Sequence, residues 1–173
     1  MEVYLVRHTE TVCEKGICYG QADVSINEPY EPLFEEIKLA LPKETLVVSS
    51  PLQRCTRLAH YITGQPIKTD SRLMEMNFGS WELQNWNDIP EFELTPWMQD
   101  FVSVQVPNGE SFTQLYQRVV SFINDLKALT NDKVILITHA GVIRSFLCYH
   151  QNLPLKDAFQ NKVAFGEIIK ITI

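Results

Sequence analysis

The chain opens with the stretch MEVYLVRHTET, residues 1–11, and this stretch decides how the remainder folds. Its first six residues predict a short β-strand, because apolar and β-branched side chains fill most of the positions. The apolar pattern ends abruptly at Arg7 and His8, which contribute nothing to a core strand. In open α/β sheets, ligands bind just beyond the carboxyl ends of the strands. We therefore expect Arg7 and His8 to lie in a functional site.

A second apolar strand, residues 45–49, is followed by a strong helix start at Ser50. We expect Ser50 to cap this helix, with Pro51 in its first position and Gln53 completing a capping box. Arg54 would then lie in the first turn of the helix, again just beyond the end of a strand.

The most hydrophobic strand, residues 133–138, stops abruptly at His139. A helix is expected from Val142 to about residue 150, and a last strand over residues 166–173. Because strands alternate with helices along the chain, we predict a mostly parallel sheet that helices cover on both faces.

Two more helices and one irregular region complete a single domain of residues 1–173. The helices are predicted to begin near Pro32 and at Ser111, where Gln114 again suits a capping box. Residues 72–107 hold all three tryptophans and lack regular periodicity. We expect this region to form short helices and loops over the active site.

Composition limits the classes of function. The chain has 173 residues, of which 45% are hydrophobic and 21% charged, as in an ordinary globular protein. The net charge of −6 argues against nucleic-acid binding, and no apolar run is long enough to cross a membrane. The four cysteines lack Cys-x-x-Cys spacing, which argues against zinc and favours reduced thiols in a cytoplasmic protein.

Neighbouring parallel strands would bring the polar strand ends together at one edge of the sheet. Arg7, Arg54, His8 and His139 would then surround one point, and guanidinium groups bind phosphate oxygens in a bidentate manner. The exposed helix N-termini after Ser50 and His139 would add N–H donors for an anion, and Ala140, directly after His139, is a further candidate phosphate-binding residue. The sequence therefore predicts a phosphate-binding site.

Two imidazoles at such a site indicate chemistry as well as binding. A neutral histidine can attack phosphorus, and the covalent intermediate splits a difficult displacement into two easier steps. The leaving oxygen then needs a proton donor. Glu75 is a carboxylate among apolar residues, which favours its protonated form, and we expect it to act as the acid and then as a base for water.

Each of these residues also has an ordinary structural explanation. A histidine after a strand often has no catalytic role, and arginines or glutamates on a helix or loop usually face solvent. Tryptophans more often belong to the core than to a binding surface. The residues by themselves favour a phosphate site only slightly over these explanations.

Four segments stand in a recognisable order: LVRHTET (5–11), SSPLQRC (49–55), LMEMNFGSWE (73–82) and THAGVIR (138–144). They resemble the four signature motifs of the histidine phosphatase superfamily, also called phosphoglycerate mutase-like proteins. Together they span nearly the whole chain.

The resemblance implies a fold and a set of roles. The fold is a three-layer α/β/α sandwich with a mostly parallel sheet. His8 would be the phosphorylated nucleophile and Glu75 the proton donor. The phosphoryl group would be held by Arg7, Arg54 and His139. The implied substrate is a small-molecule phosphate ester, and neither a metal nor a cofactor is implied.

Two shorter segments, CYGQADV (18–24) and PNGESF (107–112), resemble one branch of the superfamily, the α-ribazole phosphatases. These enzymes remove the 5′-phosphate during assembly of the cobalamin nucleotide loop. Two residues of the first segment, Tyr19 and Gln21, are candidates for substrate binding. The substrate of these enzymes carries a flat, apolar benzimidazole base, and Trp86 and Trp97 are candidates for an apolar wall that binds it.

Two residues depart from the family pattern. Thr9 replaces the usual glycine after the histidine, which adds a side chain where the backbone passes close to phosphate. Glu14 stands where many relatives have an asparagine that donates to phosphate. Because a carboxylate would repel phosphate, we expect the loop to turn Glu14 away.

These features predict a cofactor-independent phosphomonoesterase that acts on α-ribazole 5′-phosphate. One alternative is a broad-specificity phosphatase of sugar phosphates or nucleotides, or a mutase of the same fold. A second alternative is a catalytically silent phosphate-binding module, which is disfavoured because binding alone needs no proton donor. The sequence predicts no oligomeric state.

Overall fold

A five-stranded sheet forms the centre of the protein in a computed structural model that describes all 173 residues. The strands and helices, in chain order, are β1 (Glu2–Arg7), α1 (Glu31–Ala40), β2 (Leu46–Ser49), α2 (Gln53–Thr63), β3 (Lys68–Thr69), α3 (Glu91–Gln99), α4 (Phe112–Lys127), β4 (Lys133–Thr138), α5 (Ala140–Gln151) and β5 (Ile168–Thr172). The strand order is β3-β2-β4-β1-β5. All neighbouring strands run parallel except β1 and β5, which are antiparallel.

Helices cover both faces of this sheet. α4 and α5 pack on one face, where they share a cluster of 26 buried apolar residues with Val3 and Leu5 of β1. α1 and α2 pack on the other face, in a cluster of 11 that includes Val6. Successive side chains of a strand point to opposite faces, so one short strand contributes to both clusters. The expected three-layer α/β/α sandwich with a mostly parallel sheet is confirmed.

The carboxyl ends of β1 and β4 lie side by side at one edge of the sheet. In their register, Arg7 at the end of β1 pairs with Thr138 at the end of β4. His8 and His139, the next residue in each case, therefore emerge next to each other. β5 runs in the opposite direction, so its first residue, Ile168, and the loop before it lie at the same edge.

The two predicted capping boxes have different outcomes. At α4 the box is confirmed, because the Ser111 hydroxyl accepts from the Gln114 N–H at 3.3 Å and the Gln114 side chain accepts in return at 2.8 Å. At α2 the prediction is wrong, because the helix begins at Gln53 and Ser50 is buried with its hydroxyl directed into the site. The carboxylate of Asp23 accepts from the Gln53 N–H instead, at 2.7 Å.

The irregular region 72–107 consists of α3, three short 3₁₀ helices and loops. Backbone hydrogen bonds attach it to the loop that follows the first motif, including those from Leu83 to Cys18 at 2.7 Å and from Trp86 to Gly16 at 2.9 Å. Trp81 is 1% exposed and belongs to the larger core cluster. No helix is both long and apolar enough to cross a membrane.

Candidate active site

Four of the predicted phosphate-binding residues meet at the carboxyl edge of the sheet, in a cluster that we name the phosphate cluster after this predicted role. Arg7 ends β1 and His8 follows it, His139 follows β4, and Arg54 lies in the first turn of α2. The ring centres of His8 and His139 are 5.1 Å apart. His8 is 3% exposed, and Arg54 and His139 are fully buried. The cluster is thus withdrawn from bulk solvent, which strengthens the electrostatic effects of its charges.

The ring of His8 is held in one tautomer. Its Nδ1 lies 2.7 Å from the carbonyl oxygen of Thr9. Because a carbonyl oxygen only accepts, Nδ1 carries the hydrogen and Nε2 carries the lone pair. Burial and then the positive charges of Arg54 and Arg7 lower the pKa of His8 from 6.5 to about 3. The imidazole is therefore neutral near pH 7, with Nε2 in the form that can attack phosphorus.

His139 is also neutral, and both of its ring nitrogens are engaged by the protein. Its Nδ1 lies 3.3 Å from Nε of Arg54, which only donates, so Nδ1 accepts. Its Nε2 lies 2.8 Å from the Ser50 hydroxyl and carries the hydrogen of the neutral ring. Burial, followed by the neighbouring His8 and Arg54, holds the pKa of His139 well below 6.5. His139 is therefore an oriented hydrogen-bonding group and not a cation.

Arg54 is fully buried without a carboxylate partner. Besides its bond to His139, its Nη1 donates to the carbonyl oxygen of Ala22 at 2.8 Å and its Nη2 to that of Gly20. A guanidinium has five N–H donors, so two remain after these three bonds, both on the Nη atoms. These two donors suit the bidentate phosphate contact that the sequence predicts.

Arg7 is held by the loop that precedes β5. Its Nη1 donates to the carbonyl oxygen of Val163 at 2.6 Å, and its guanidinium carbon lies 3.7 Å from the centre of the Phe165 ring. This cation–π contact orients the plane of the guanidinium. The Nε of Arg7 is buried and has no protein acceptor. A donor of this kind fits a contact to an anion.

Glu75 lies against the start of α5. Its Oε1 accepts from the N–H of Met76 at 2.9 Å, and its Oε2 from the N–H of Gly141 at 3.1 Å. Two backbone N–H donors therefore reach this carboxylate, in addition to the apolar residues beside it in the sequence. A Cβ atom on residue 141 would lie 2.3 Å from Oε1 of Glu75, so the carboxylate fits only because Gly141 lacks a side chain.

Arg118 of α4 fixes the segment that carries Glu75. Its guanidinium donates to the carbonyl oxygens of Met74 at 2.7 Å and Glu75 at 2.9 Å. It also forms an ion pair with Glu110 at 2.8 Å. The carboxylate of Glu75 is therefore attached to a segment tied to a helix and not to a free loop.

Ala140 is the first residue of α5, so the helix begins two residues earlier than the predicted Val142. The first N–H groups of a helix have no intrahelical acceptor. The N–H of Ala140 follows His139 directly, at the edge where the phosphate site is predicted. The position of Ala140 is therefore compatible with its predicted role as an anion donor.

Tyr19 lines a cavity of about 260 Å³ beside the His8 motif. Residues of the loop 10–19 form most of its wall, and Asn27 and Phe165 complete it. The Tyr19 hydroxyl accepts from the Thr11 hydroxyl at 3.0 Å, and the Tyr19 ring lies 5.5 Å from the guanidinium of Arg54. The structure thus brings Tyr19 next to the phosphate cluster.

The other three substrate-binding candidates line neither this cavity nor a second one of about 230 Å³ next to it. Gln21 donates its side-chain amide to the carbonyl oxygen of Glu75 at 3.1 Å. Trp86 and Trp97 stack with their ring centres 5.8 Å apart, and both rings meet Phe78 edge-on. Both tryptophans pack against the main core, so their position favours a structural role.

The two departures from the family pattern face the two cavities. Thr9 is 3% exposed, its hydroxyl has no protein partner, and it lines the smaller cavity. Glu14, which we expected to point away from phosphate, is exposed at the rim of the larger cavity. The extra carboxylate therefore borders the space next to the phosphate cluster.

Phe165 was not identified from the sequence, although it contacts Arg7 and lies near His8. Besides its contact with Arg7, it lies 5.6 Å from the His8 ring and lines both cavities. Only the antiparallel direction of β5 brings its preceding loop to this edge, and the sequence does not reveal strand direction. Glu82, part of the third motif, had no assigned role, yet its carboxylate contacts the loop that holds Arg54.

Comparison with known proteins agrees with this geometry. The family model for the histidine phosphatase superfamily (branch 1) matches residues 3–173. "Probable phosphoglycerate mutase GpmB" of Escherichia coli O1:K1 / APEC is 31% identical over 166 residues, covering 89% of this chain and 76% of that protein. "Putative phosphoserine phosphatase 2" of Hydrogenobacter thermophilus is 28% identical over 168 residues, covering 90% and 81%.

A solved structure shares the whole fold. The alpha-ribazole phosphatase from Shigella flexneri superimposes with a TM-score of 0.91 at 25% identity, covering 100% of this chain and 91% of that one. These relatives carry names of different activities, so similarity alone selects no substrate. The family match, by contrast, includes all four motifs and every residue of the phosphate cluster. This chain belongs to the histidine phosphatase superfamily, branch 1.

Proposed function

We propose that this protein is a phosphomonoesterase that works through a phosphohistidine on His8. The observation that carries the proposal is the 2.7 Å contact between Nδ1 of His8 and the Thr9 carbonyl, which leaves the lone pair on Nε2. In the first step Nε2 bonds to phosphorus, the bond to the ester oxygen breaks, and that oxygen takes a proton from Glu75. In the second step Glu75 takes a proton from water, whose oxygen attacks phosphorus and releases His8 and phosphate.

The arginines stabilise the charge of the phosphoryl group during transfer. The transition state is loose and spreads negative charge over the three equatorial oxygens. Arg54 offers its two remaining Nη donors and Arg7 its unpartnered Nε. Because these donors are fixed and largely buried before the substrate arrives, they need little reorganisation during the reaction.

We further propose α-ribazole 5′-phosphate as the substrate. The similarity to the alpha-ribazole phosphatase from Shigella flexneri supports this choice. Tyr19 and Phe165 line the larger cavity and would give the flat, apolar benzimidazole an aromatic wall. Glu10 and Glu14, opposed only by Lys15, also line it and would repel a leaving group with its own negative charge. A phosphoglycerate has such a charge, and α-ribazole has none.

A phosphoserine phosphatase is the second candidate. The similarity to the Hydrogenobacter thermophilus protein points to it, and one feature of the cavity supports it. Glu10 and Glu14 would attract the ammonium group of phosphoserine, although they would repel its carboxylate. The same charges disfavour a phosphoglycerate mutase.

The test is to measure kcat/KM for phosphate release from α-ribazole 5′-phosphate, phosphoserine, 3-phosphoglycerate and a simple aryl phosphate. We expect turnover of the aryl phosphate and the highest kcat/KM for α-ribazole 5′-phosphate. Preference for phosphoserine would favour the second candidate, and preference for phosphoglycerate would contradict the cavity argument. Absence of turnover with all four substrates would contradict the proposed enzyme and favour the alternative of a catalytically silent phosphate-binding module. The His8→Ala variant controls for contaminating phosphatases.

A further inference from the structure

We propose that Glu82 is a positioning residue for the phosphate clamp and acts on Arg54 through the loop of residues 20–22. This inference rests on the proposed function, in which Arg54 holds the phosphoryl group. Glu82 lies within the irregular region, directly after the 3₁₀ helix Gly79–Trp81, and outside the phosphate cluster. Its side chain is joined to Arg54 by a continuous chain of hydrogen bonds.

The first step of this chain is a carboxylate surrounded by backbone donors. Oε2 of Glu82 accepts from the N–H groups of Gly20 at 2.8 Å and Ala22 at 3.1 Å. Its Oε1 accepts from the N–H of Gln21 at 2.9 Å and from that of Phe78 at 3.0 Å. Three consecutive N–H groups that converge on one anion form a compact nest. In this chain the protein's own carboxylate occupies that nest.

The second step runs from the same loop to the guanidinium. The carbonyl oxygens of Gly20 and Ala22 accept from Nη2 and Nη1 of Arg54, the latter at 2.8 Å. The loop is thus bound by Glu82 through its N–H groups and by Arg54 through its carbonyls. A shift of the loop would therefore move two of the three acceptors that set the orientation of the guanidinium.

The loop also has little freedom to compensate. A Cβ atom on residue 20 would lie 1.8 Å from the carbonyl oxygen of Met76 and 3.0 Å from Oε1 of Glu82. Only Gly20 allows this close approach between the loop and the segment that carries Glu82. Gln21 of the same loop donates to the carbonyl oxygen of Glu75 at 3.1 Å. The loop is therefore packed between the clamp and the proton donor.

A carboxylate is needed because four N–H groups require four acceptor lone pairs. In Glu82→Gln the amide nitrogen would face N–H donors and repel them, although the side chain keeps its size. We expect kcat/KM to fall by about 10–100-fold, the range found when residues that orient metal ligands are changed. The affinity for inorganic phosphate, measured by titration calorimetry, should fall by a similar factor. Glu91→Gln, an exposed glutamate of the same region, should change neither quantity.

A double-mutant cycle separates positioning through Arg54 from a general structural effect. If Glu82 acts through Arg54, adding Glu82→Gln to Arg54→Lys should reduce kcat/KM by less than about threefold beyond Arg54→Lys alone. Full additivity, or unchanged phosphate affinity in Glu82→Gln, would overturn the inference. If Glu82→Gln does not fold, Glu82→Asp replaces it, because aspartate keeps the charge but is too short to reach all four donors. The double-mutant cycle of Glu82→Asp with Arg54→Lys then tests the inference by the same threefold limit.

The proposed function can fail separately from this inference. An active wild-type enzyme whose Glu82→Gln variant is normal would overturn only the inference about Glu82. A wild-type chain that binds phosphate but turns over no ester would overturn the proposed enzyme, while the calorimetric comparison of the variants would still decide the role of Glu82. A wild-type chain that neither binds phosphate nor turns over an ester would overturn both.

Discussion

The Nε atom of Arg54 lies 3.3 Å from Nδ1 of His139, so a residue of α2 and the residue that follows β4 form a single hydrogen-bonded unit. Both side chains are fully buried. Because a guanidinium only donates, this contact fixes the tautomer of His139 and directs its N–H to Ser50. A change in Arg54 is therefore expected to disturb a second site residue as well as the phosphate contact.

Arg54→Lys should lower kcat/KM by about 10-fold to 150-fold, since it removes at least one charge-assisted hydrogen bond worth roughly 1.5–3 kcal/mol. Lysine keeps the charge but cannot reach His139, Gly20 and Ala22 together. Steady-state kinetics with an aryl phosphate measure the effect. Arg57→Lys, on the exposed side of the same helix, is the matched control and should be nearly normal. Equal losses in the two variants would contradict the role of Arg54.

Glu75→Gln should slow the release of poor leaving groups much more than that of good ones. The amide keeps the shape but cannot donate the proton, and general acid catalysis typically contributes about 10²–10⁴-fold. We expect a loss of this size for α-ribazole 5′-phosphate and a small loss for a nitrophenyl phosphate, whose leaving group needs no proton. Glu91→Gln serves as the control. An equal loss on both substrates would exclude Glu75 as the acid.

The stability of the protein should fall as pH falls from about 6.5 toward 3, partly because of His8. Its pKa is lowered from 6.5 to about 3 in the folded state, so between these values the unfolded chain binds the proton more tightly. One such group costs up to about 1.4 kcal/mol of unfolding free energy per pH unit.

Urea unfolding of wild type and His8→Asn at several pH values isolates this contribution. Carboxylates titrate in both proteins, so their contributions largely cancel in the difference between the two unfolding free energies. We expect the stability of wild type relative to His8→Asn to decrease steadily below pH 6.5 and to stay constant above it. A difference that does not change with pH would show that His8 is not buried as a neutral imidazole.

Tyr19→Leu should lower kcat/KM for α-ribazole 5′-phosphate. The expected loss of transition-state stabilisation is about 1–3 kcal/mol, the value of stacking a base on an aromatic ring. A small aryl phosphate should be much less affected. Trp86→Leu should instead lower the melting temperature without a preference between the substrates, because Trp86 packs against Trp97 and the core. If the Trp86 variant discriminated between the two substrates and the Tyr19 variant did not, the tryptophans and not Tyr19 would form the wall that binds the base.

Much of the phosphate cluster could be predicted because strand ends are visible in a sequence. The apolar runs before Arg7 and His139 indicate where β1 and β4 stop, and parallel pairing then brings the two ends together. The same reasoning placed Arg54 at the start of α2. Each of these predictions depends only on local pattern and on a general rule of sheet topology.

The contacts that complete the site could not be predicted, because they join segments far apart in the chain. Ser50 has the sequence of a helix cap, but its hydroxyl binds His139 once the two strand ends meet. Phe165 reaches Arg7 only because β5 runs antiparallel to β1. The N–H of Gly141 reaches Glu75 because the start of α5 approaches it, which the apolar residues next to Glu75 in sequence do not reveal.

The role of His8 as the nucleophile is tested most directly by trapping the phosphoenzyme. Wild-type protein is mixed briefly with a phosphate ester labelled on phosphorus, quenched in alkali to preserve phosphohistidine, and mapped by mass spectrometry after proteolysis. We expect label on His8 alone, formed at least as fast as turnover and missing in His8→Asn. Label on His139 or Ser50, or full turnover by His8→Asn, would contradict this role.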